Sequence, residues 1–157
     1  MLVLLACGQA THRRAWLLTH DDDALTPAQQ ALLQSALERR LRGEPIAYIT
    51  GTKEFYGLAL QVDARVLDPR DDTETLVDWA LDLLRVQAFP QPRVVDLGTG
   101  SGAIALALKS QYPQAQVQAV DASVDALDVA RANAHRLGLD VQFAQGSWLE
   151  PVQGRVD

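Results

Sequence analysis

One cysteine, one methionine and three histidines are spread through 157 residues, and each scarcity excludes something. A lone Cys7 allows no intramolecular disulfide and no cysteine-built metal cage, and it reads as a small buried hydrophobe. His12, His20 and His135 are scattered, and none stands with an evident nucleophile or metal-ligating set, so no metal site is assigned. No apolar run approaches the ~20 residues that cross a bilayer. Met1 to Cys7 is apolar, but no basic region precedes it and no clear cleavage site follows. The expectation is a cytoplasmic protein without membrane attachment. Basic charge is short as well: 14 Lys and Arg face 20 Asp and Glu, a net charge of -6. Residues 1–60 carry six of each sign, while residues 61–157 carry eight basic and fourteen acidic side chains. The whole acidic excess therefore lies in the second part. Such a surface repels phosphate backbones, which argues against direct nucleic-acid binding. A cationic ligand or partner is easier to accommodate.

What is present suits one domain or one and a half, since 48% of the residues are hydrophobic and a chain of this length buries a real core. The stretch "TPAQQALLQSALERRLRG" predicts a helix. Thr26 is a plausible N-cap, Pro27 suits the first helical position and Gln29 completes a capping box. Leu32, Leu33, Ala36, Leu37 and Leu41 follow at helical spacing, and Gly43 with Pro45 ends the run. Leu2 to Leu18 reads as further helix that begins abruptly in apolar residues, which suggests missing upstream sequence. Asp21 to Asp23 reads as a solvated loop rather than a metal site. From Gly43 to Val62, "GEPIAYITGTKEFYGLALQV" is strand-like, with Gly51 and Gly57 as punctuation, and predicts a short hairpin.

The second part opens with a helix whose stripe is Leu76, Val77, Ala80, Leu81 and Leu84, capped by Asp71 or Asp72. Pro90 and Pro92 close it. An alternation follows: strand Arg93–Leu97, a glycine loop, helix Ala103–Gln111, strand Gln116–Val120, helix Val124–Leu137 and strand Val141–Gln145. Strands alternating with helices of this length predict an α/β fold with a parallel, doubly wound sheet. The closing "GRVD" reads as the start of a fourth strand, so the sheet is expected to be truncated.

The loop itself is "RVVDLGTGSGA". Gly98, Gly100 and Ala103 satisfy a dinucleotide pattern, and Asp121 ends the second strand where ribose recognition needs an acid. Asp96 decides between cofactors. A dinucleotide loop aims backbone N–H groups and a helix N-terminus at a pyrophosphate. A carboxylate ~5 Å from that phosphate would oppose binding by several kcal/mol. S-adenosyl-L-methionine has no phosphate; it carries an amine and a sulfonium that a carboxylate favours, and a ribose for Asp121. The stretch Gly98, Thr99, Gly100, Ser101 and Gly102 leaves backbone for the methionine portion. The pattern favours S-adenosylmethionine, with NAD and a ligand-free tight turn as alternatives. Trp148, in "GSWLEP" after the third strand, sits where an indole would pack on adenine, and equally where an edge or core aromatic would sit.

Four stretches carry a family resemblance: "GEPIAYITGTKEFYG", "VLDPRDDTETLVDWAL", "VVDLGTGSGAIALAL" and "VQAVDAS" through "GSWLEP". The chain resembles the release-factor glutamine methyltransferases, the HemK or PrmC type of class I S-adenosylmethionine-dependent methyltransferases. The resemblance implies a helical, partner-binding N-terminal domain over 1–43, a hairpin linker over 44–67 and a Rossmann-like cofactor domain over 68–157. It implies methyl transfer to the glutamine side-chain amide of the Gly-Gly-Gln motif in class 1 peptide chain release factors. Gly98 to Gly102 would cradle the methionine portion, with Asp121 at the ribose and Trp148 at the adenine. A monomer is expected.

Two departures qualify the likeness. The family's "IPRP" reads "DPRD", with Asp68 for an apolar residue and Asp71 for a proline, although Arg70 and Glu74 are kept. These two are candidates for the substrate side, and equally for a surface ion pair or helix cap. The family's Asn-Pro-Pro-Tyr motif, which the resemblance assigns to holding the amide, would follow the fourth strand and is not in 1–157. No catalytic residue is assigned, and the chain is expected to hold the cofactor half of the site and to be inactive alone. Two other readings remain open: an NAD-dependent oxidoreductase, and a noncatalytic module that binds a release factor through residues 2–42.

Overall fold

The computed structural model describes residues 1–10 and 13–157; His12 and the middle of the first expected helix lie outside the described residues. The chain divides into two compact units, Met1–Gly51 and Thr52–Asp157. The stretch 44–67 is thus shared between them rather than standing apart.

The first unit is helical. It holds α1 (Leu2–Ala6), α2 (Arg14–Leu17), α3 (Pro27–Leu41) and α4 (Ile46–Thr50). The continuous helix expected from Leu2 to Leu18 does not form. Gly8 takes a left-handed φ of 67°, and the Gly8 N–H turns back to the Leu5 carbonyl, which ends α1 after little more than one turn. In α3 the expected capping box is present: the Gln29 N–H donates to Thr26 Oγ1, and the Thr26 N–H donates to Gln29 Oε1. The expected apolar stripe is only partly used. Ala36 is buried, while Leu32, Leu37 and Leu41 are exposed.

The strand-like reading of residues 46–50 also fails, because α4 lies there. Its composition (Ile46, Tyr48, Ile49, Thr50) favours strand, but Pro45 accepts from the Tyr48 and Ile49 N–H groups and Gly51 terminates the turn in the left-handed region. Local punctuation overrides side-chain propensity.

The second unit opens with a hairpin of β1 (Thr52–Phe55) and β2 (Leu58–Gln61), paired antiparallel from Thr52 opposite Gln61 to Phe55 opposite Leu58. Tyr56 and Gly57, both with positive φ, form the two-residue turn that suits strand twist. Phe55 and Leu60 are fully buried. A 3-10 turn, Asp71–Thr73, leads into α5 (Glu74–Gln87). Neither Asp71 nor Asp72 caps α5 as expected; Lys53 Nζ instead donates to Asp71 at 2.7 Å, and the pairing holds the Asp71 carboxyl below its ordinary range. Of the expected stripe, Val77, Leu81 and Leu84 are buried. Asp68 Oδ1 is buried without a hydrogen-bond partner among the described residues, a local desolvation cost where the family resemblance expects an apolar side chain.

The rest is β3 (Arg93–Leu97), α6 (Ala103–Gln111), β4 (Gln116–Asp121), α7 (Val124–Leu137) and β5 (Gln142–Gln145). The three strands form one parallel sheet in the order β3-β4-β5. The core is built from α6, where Ala105, Leu106 and Ala107 are fully buried, from Val117, Ala119 and Val120 of β4, and from Leu127 and Ala130 of α7. Residues 154–157 form no strand, but the Asp157 N–H donates to the Arg93 carbonyl at 3.0 Å, alongside the start of β3. No helix among the described residues is long and apolar enough to cross a membrane.

Candidate functional site

Parallel strands with helical crossovers leave a crevice at their C-terminal ends, where the loops emerge. Here the loop after β3 runs from Gly98 to Gly102, and β4 ends beside it at Asp121. The Gly98 and Thr99 N–H groups both donate to the Val120 carbonyl, at 2.8 and 3.0 Å. The Gly100 N–H donates to Asp121 Oδ2 at 2.9 Å. Asp121 Oδ1 accepts the Ser123 N–H, also at 2.9 Å, and Ser123 Oγ caps α7 through the Ala126 N–H. One carboxylate thus fixes both the crest of the loop and the entry to the next helix.

Asp96 lies beneath the loop. It is buried, and its Oδ2 accepts the Thr99 hydroxyl at 2.7 Å and the Ala105 N–H at 3.2 Å. The N-cap of α6 is Gly102, which offers no side-chain acceptor, so Asp96 reaches under the loop to take one of the helix's unpaired amides. Oδ1 has no hydrogen bond among the described residues. Burial pushes the Asp96 carboxyl above its ordinary value; the Thr99 hydroxyl and the Ala105 amide act against this, and the Asp121 charge adds to it.

That direction fixes a pH dependence. A carboxyl raised above its unfolded value favours folding most when protonated, so its contribution is full below about pH 3.8 and is lost as pH rises through the folded value. Asp96→Asn keeps an acceptor for the Thr99 hydroxyl and the Ala105 N–H but never ionises. The variant should melt higher than the parent at pH 7, with the gap closing below about pH 3.8. Parallel thermal melts across pH test this, and a gap independent of pH would show that the buried charge carries no cost.

The loop glycines divide into two kinds. A Cβ built on Gly98 or Gly100 meets nothing within 4 Å, whereas one on Gly102 comes to 3.0 Å from Leu106 Cδ1 and 3.3 Å from Ala130. Gly98 and Gly100 leave backbone open to a ligand. Gly102, expected to do the same, instead lets α6 pack against α7. Thr99 and Ser101 are buried, so their side chains shape the loop from within.

Trp148 follows β5 with a left-handed φ of 51° and is 76% exposed. That exposure excludes the core-aromatic alternative and leaves an indole uncovered beyond the C-terminal end of β5. The structure does not bring Arg70 and Glu74 into the loop. Arg70 is exposed and its side chain is unpartnered among the described residues. Glu74 Oε1 accepts the Tyr56 N–H at 2.7 Å, beside a Tyr56 hydroxyl bond to Asp78 at 2.5 Å; this pair ties the hairpin turn to α5.

Asn133 escaped the sequence reading. It is fully buried on α7, and its amide bonds to the Ser101 carbonyl inside the glycine loop. The signal was present: Asn133 falls in phase with Ala126 and Ala130 on the apolar face, where an unpaired amide is costly. Elsewhere, the first unit holds a hollow of about 570 Å³ lined by Val3, Cys7, Trp16 and His20 among others, without a glycine loop or an acidic strand end. The described residues contain no metal-binding cluster.

Comparisons with known proteins bear on this arrangement. Residues 3–51 match the PrmC N-terminal domain, and residues 74–157 match the methyltransferase small domain. The chain is similar to the release factor glutamine methyltransferase of Bordetella pertussis, with 50% identity over 92% of this chain and 53% of that protein. It is similar to the proteins of the same name from Xylella fastidiosa, at 48% over 90% and 51%, and Vibrio cholerae, at 45% over 95% and 51%. The chain therefore spans about half the length of these curated relatives. Among solved structures, the N-terminal domain of human METTL16 in complex with SAH aligns with a TM-score of 0.53 at 17% identity, over 65% of this chain and 43% of that one. The Pyrococcus abyssi tRNA (uracil-54, C5)-methyltransferase, in complex with S-adenosyl-L-homocysteine, aligns at 0.50 and 16%, over 61% and 23%. Those two likenesses are of fold.

Proposed function

From the premise that the chain belongs to the methyltransferase small domain family, with its curated relatives among the release-factor glutamine methyltransferases, we propose that its loop binds S-adenosyl-L-methionine. We propose further that the protein serves N-methylation of the Gly-Gly-Gln glutamine of class 1 peptide chain release factors. The observation that carries the cofactor reading is the pair of carboxylates, Asp96 and Asp121, at adjacent strand ends on either side of a glycine loop whose Gly98 and Gly100 faces are open. Two acids there disfavour a pyrophosphate and favour a ligand bearing an amine, a sulfonium and ribose hydroxyls.

The residues fit that ligand in distinct ways. Gly98 and Gly100 would offer backbone against the methionine portion. The free Asp96 Oδ1 would face the amine. Asp121 has lone pairs left beyond its two backbone bonds and would accept ribose hydroxyls. The exposed Trp148 indole would cover the adenine side. Thr99, Ser101 and Gly102 would hold the shape of the loop. When bound, the cofactor supplies an electrophilic methyl group on sulfur to an amide nitrogen whose lone pair is delocalised. This chain's part is orientation: a loop fixed before the ligand arrives loses little on binding. The release-factor substrate is supported by the shared name of relatives 45–50% identical, and the helical first unit, matched to the PrmC N-terminal domain, is proposed to dock it.

Titration calorimetry on the folded chain tests the cofactor reading, with NAD as control. Heat with S-adenosylmethionine and none with NAD is expected. A folded sample that is silent to S-adenosylmethionine, or that binds NAD, would overturn it.

A further inference from the structure

We propose that Asn133 is a positioning residue that couples the glycine loop to the β1–β2 hairpin, so that ligand held on the loop tightens the hairpin and a loosened hairpin weakens ligand binding. The coupling rests on the cofactor reading above.

Asparagine is a poor choice for the interior of a helix, because its amide competes for backbone groups. On the buried face of α7, among Ala126, Leu127, Val129, Ala130 and Ala134, an apolar side chain would satisfy packing without any hydrogen bonds. Asn133 instead uses its full bonding capacity. Nδ2 donates to the Gln61 carbonyl at 2.9 Å and to the Ser101 carbonyl at 3.0 Å. Oδ1 accepts the Gln61 N–H at 2.7 Å and Arg136 Nη2 at 3.3 Å. The orientation of the amide follows from its partners, since the flipped form would set two donors against each other at Gln61.

The bonds have a direction in the fold. Gln61 closes β2, and in an antiparallel strand the N–H and C=O of one residue point to the same side. Both meet Asn133, and the Ala59 carbonyl two residues earlier meets Arg136 Nη2. Helix α7 thus covers the free edge of β2 with two side chains, much as a further strand would. Asn133 alone reaches on to the loop. The loop has three side-chain anchors: Asp96 at Thr99, Asp121 at Gly100 and Asn133 at Ser101. The first two arise from the strands on which the loop is built. The third arises from another helix and grips the hairpin with two of its remaining bonds, both at Gln61, so neither segment shifts without disturbing the other's hydrogen bonds.

Backbone amide exchange and calorimetry on the full chain test this. In the parent, saturating S-adenosylmethionine should slow exchange of the Gln61 N–H by about fivefold or more, the lower range of coupling between sites. A binding parent with unchanged Gln61 exchange overturns the coupling and leaves the cofactor reading intact, whereas a folded parent that does not bind sinks that reading instead. A double-mutant cycle supplies the second readout. Gly57→Val strains the hairpin turn, where φ is 76°, and should weaken S-adenosylmethionine binding by about fivefold in the parent. In Asn133→Leu, itself weakened by about tenfold, Gly57→Val should change nothing further. Equal effects in the two backgrounds would reduce Asn133 to a packing role and overturn the proposal. Should Asn133→Leu fail to fold, the parent's Gln61 exchange decides alone.

Discussion

Gly102→Val is expected to abolish S-adenosylmethionine binding and to lower the stability of the second unit by about 2–5 kcal/mol. Two costs combine. The residue sits at φ 84°, which costs an L-residue about 1–2 kcal/mol and a β-branched one more. The first added carbon already lies 3.0 Å from Leu106 Cδ1 and 3.3 Å from Ala130, and overpacking of a tight core costs about 1–3 kcal/mol. Leu106 and Ala130 are fully buried, so α6 and α7 must part to admit the valine, and the loop between Thr99 and α6 moves with them. Gly138→Ala is the control. Its φ of 66° carries the same backbone penalty, but nothing lies within 4 Å of its Cβ. Chemical denaturation of Gly102→Ala, Gly102→Val and Gly138→Ala should rank Gly138→Ala mildest and Gly102→Val worst. Equal losses in the two alanine variants would show that the contact with Leu106 and Ala130 is unimportant.

How far the sequence reveals this unit depends on the range of the interactions that build it. The boundaries of β3, α6 and α7 read from the sequence agree with the structure. There, periodicity and punctuation are local: the apolar run of β3 stops at Gly98, and α7 runs from a Ser123 cap to a left-handed Gly138. The acidic pair was legible for the same reason, since strand ends mark where loops begin. What those acids touch was not. Asp96 reads from the sequence as a charge facing the ligand, and only the tertiary fold shows Oδ2 turned under the loop to the Ala105 amide nine residues on. Gly102 reads as one more open glycine until α7 packs beside it. Asn133 and Gln61 are 72 residues apart, a distance at which no pattern in one sequence reports pairing.

The first unit was less legible. Leu32, Leu37 and Leu41 keep a helical period yet remain exposed, because a period shows which residues share a face and says nothing of what covers it. Ile46 to Thr50 shows the opposite failure, in which β-prone side chains form a helical turn because Pro45 and Gly51 fix its ends.

Asp121→Ala should weaken S-adenosylmethionine binding by about a hundredfold or more while lowering stability by only about 1–2 kcal/mol. The stability loss is modest because Asp121 is half-buried, and water can reach the Gly100 and Ser123 amides once they lose their 2.9 Å bonds. Hydrogen bonds to a charged acceptor contribute about 1.5–3 kcal/mol, less where solvent substitutes. On the proposed cofactor reading, affinity loses more because three effects would act together: the proposed ribose acceptor is gone, the crest of the loop is no longer fixed before binding, and one of the two acids proposed to favour a cationic ligand is removed. At about 1.4 kcal/mol per decade, two such effects already give a hundredfold. Asp96→Asn separates charge from loop order, since it removes the other charge and leaves an acceptor beneath the loop. It should weaken binding less than Asp121→Ala and should not destabilise the fold at pH 7. The two acids are also linked, for the Asp121 charge adds to the upward shift of Asp96. In Asp121→Ala, the pH range over which ionisation of Asp96 erodes stability should therefore move down. Calorimetric titrations together with melts across pH read all three quantities. Binding by Asp121→Ala at parental affinity would remove Asp121 from the cofactor site, whatever its effect on the fold.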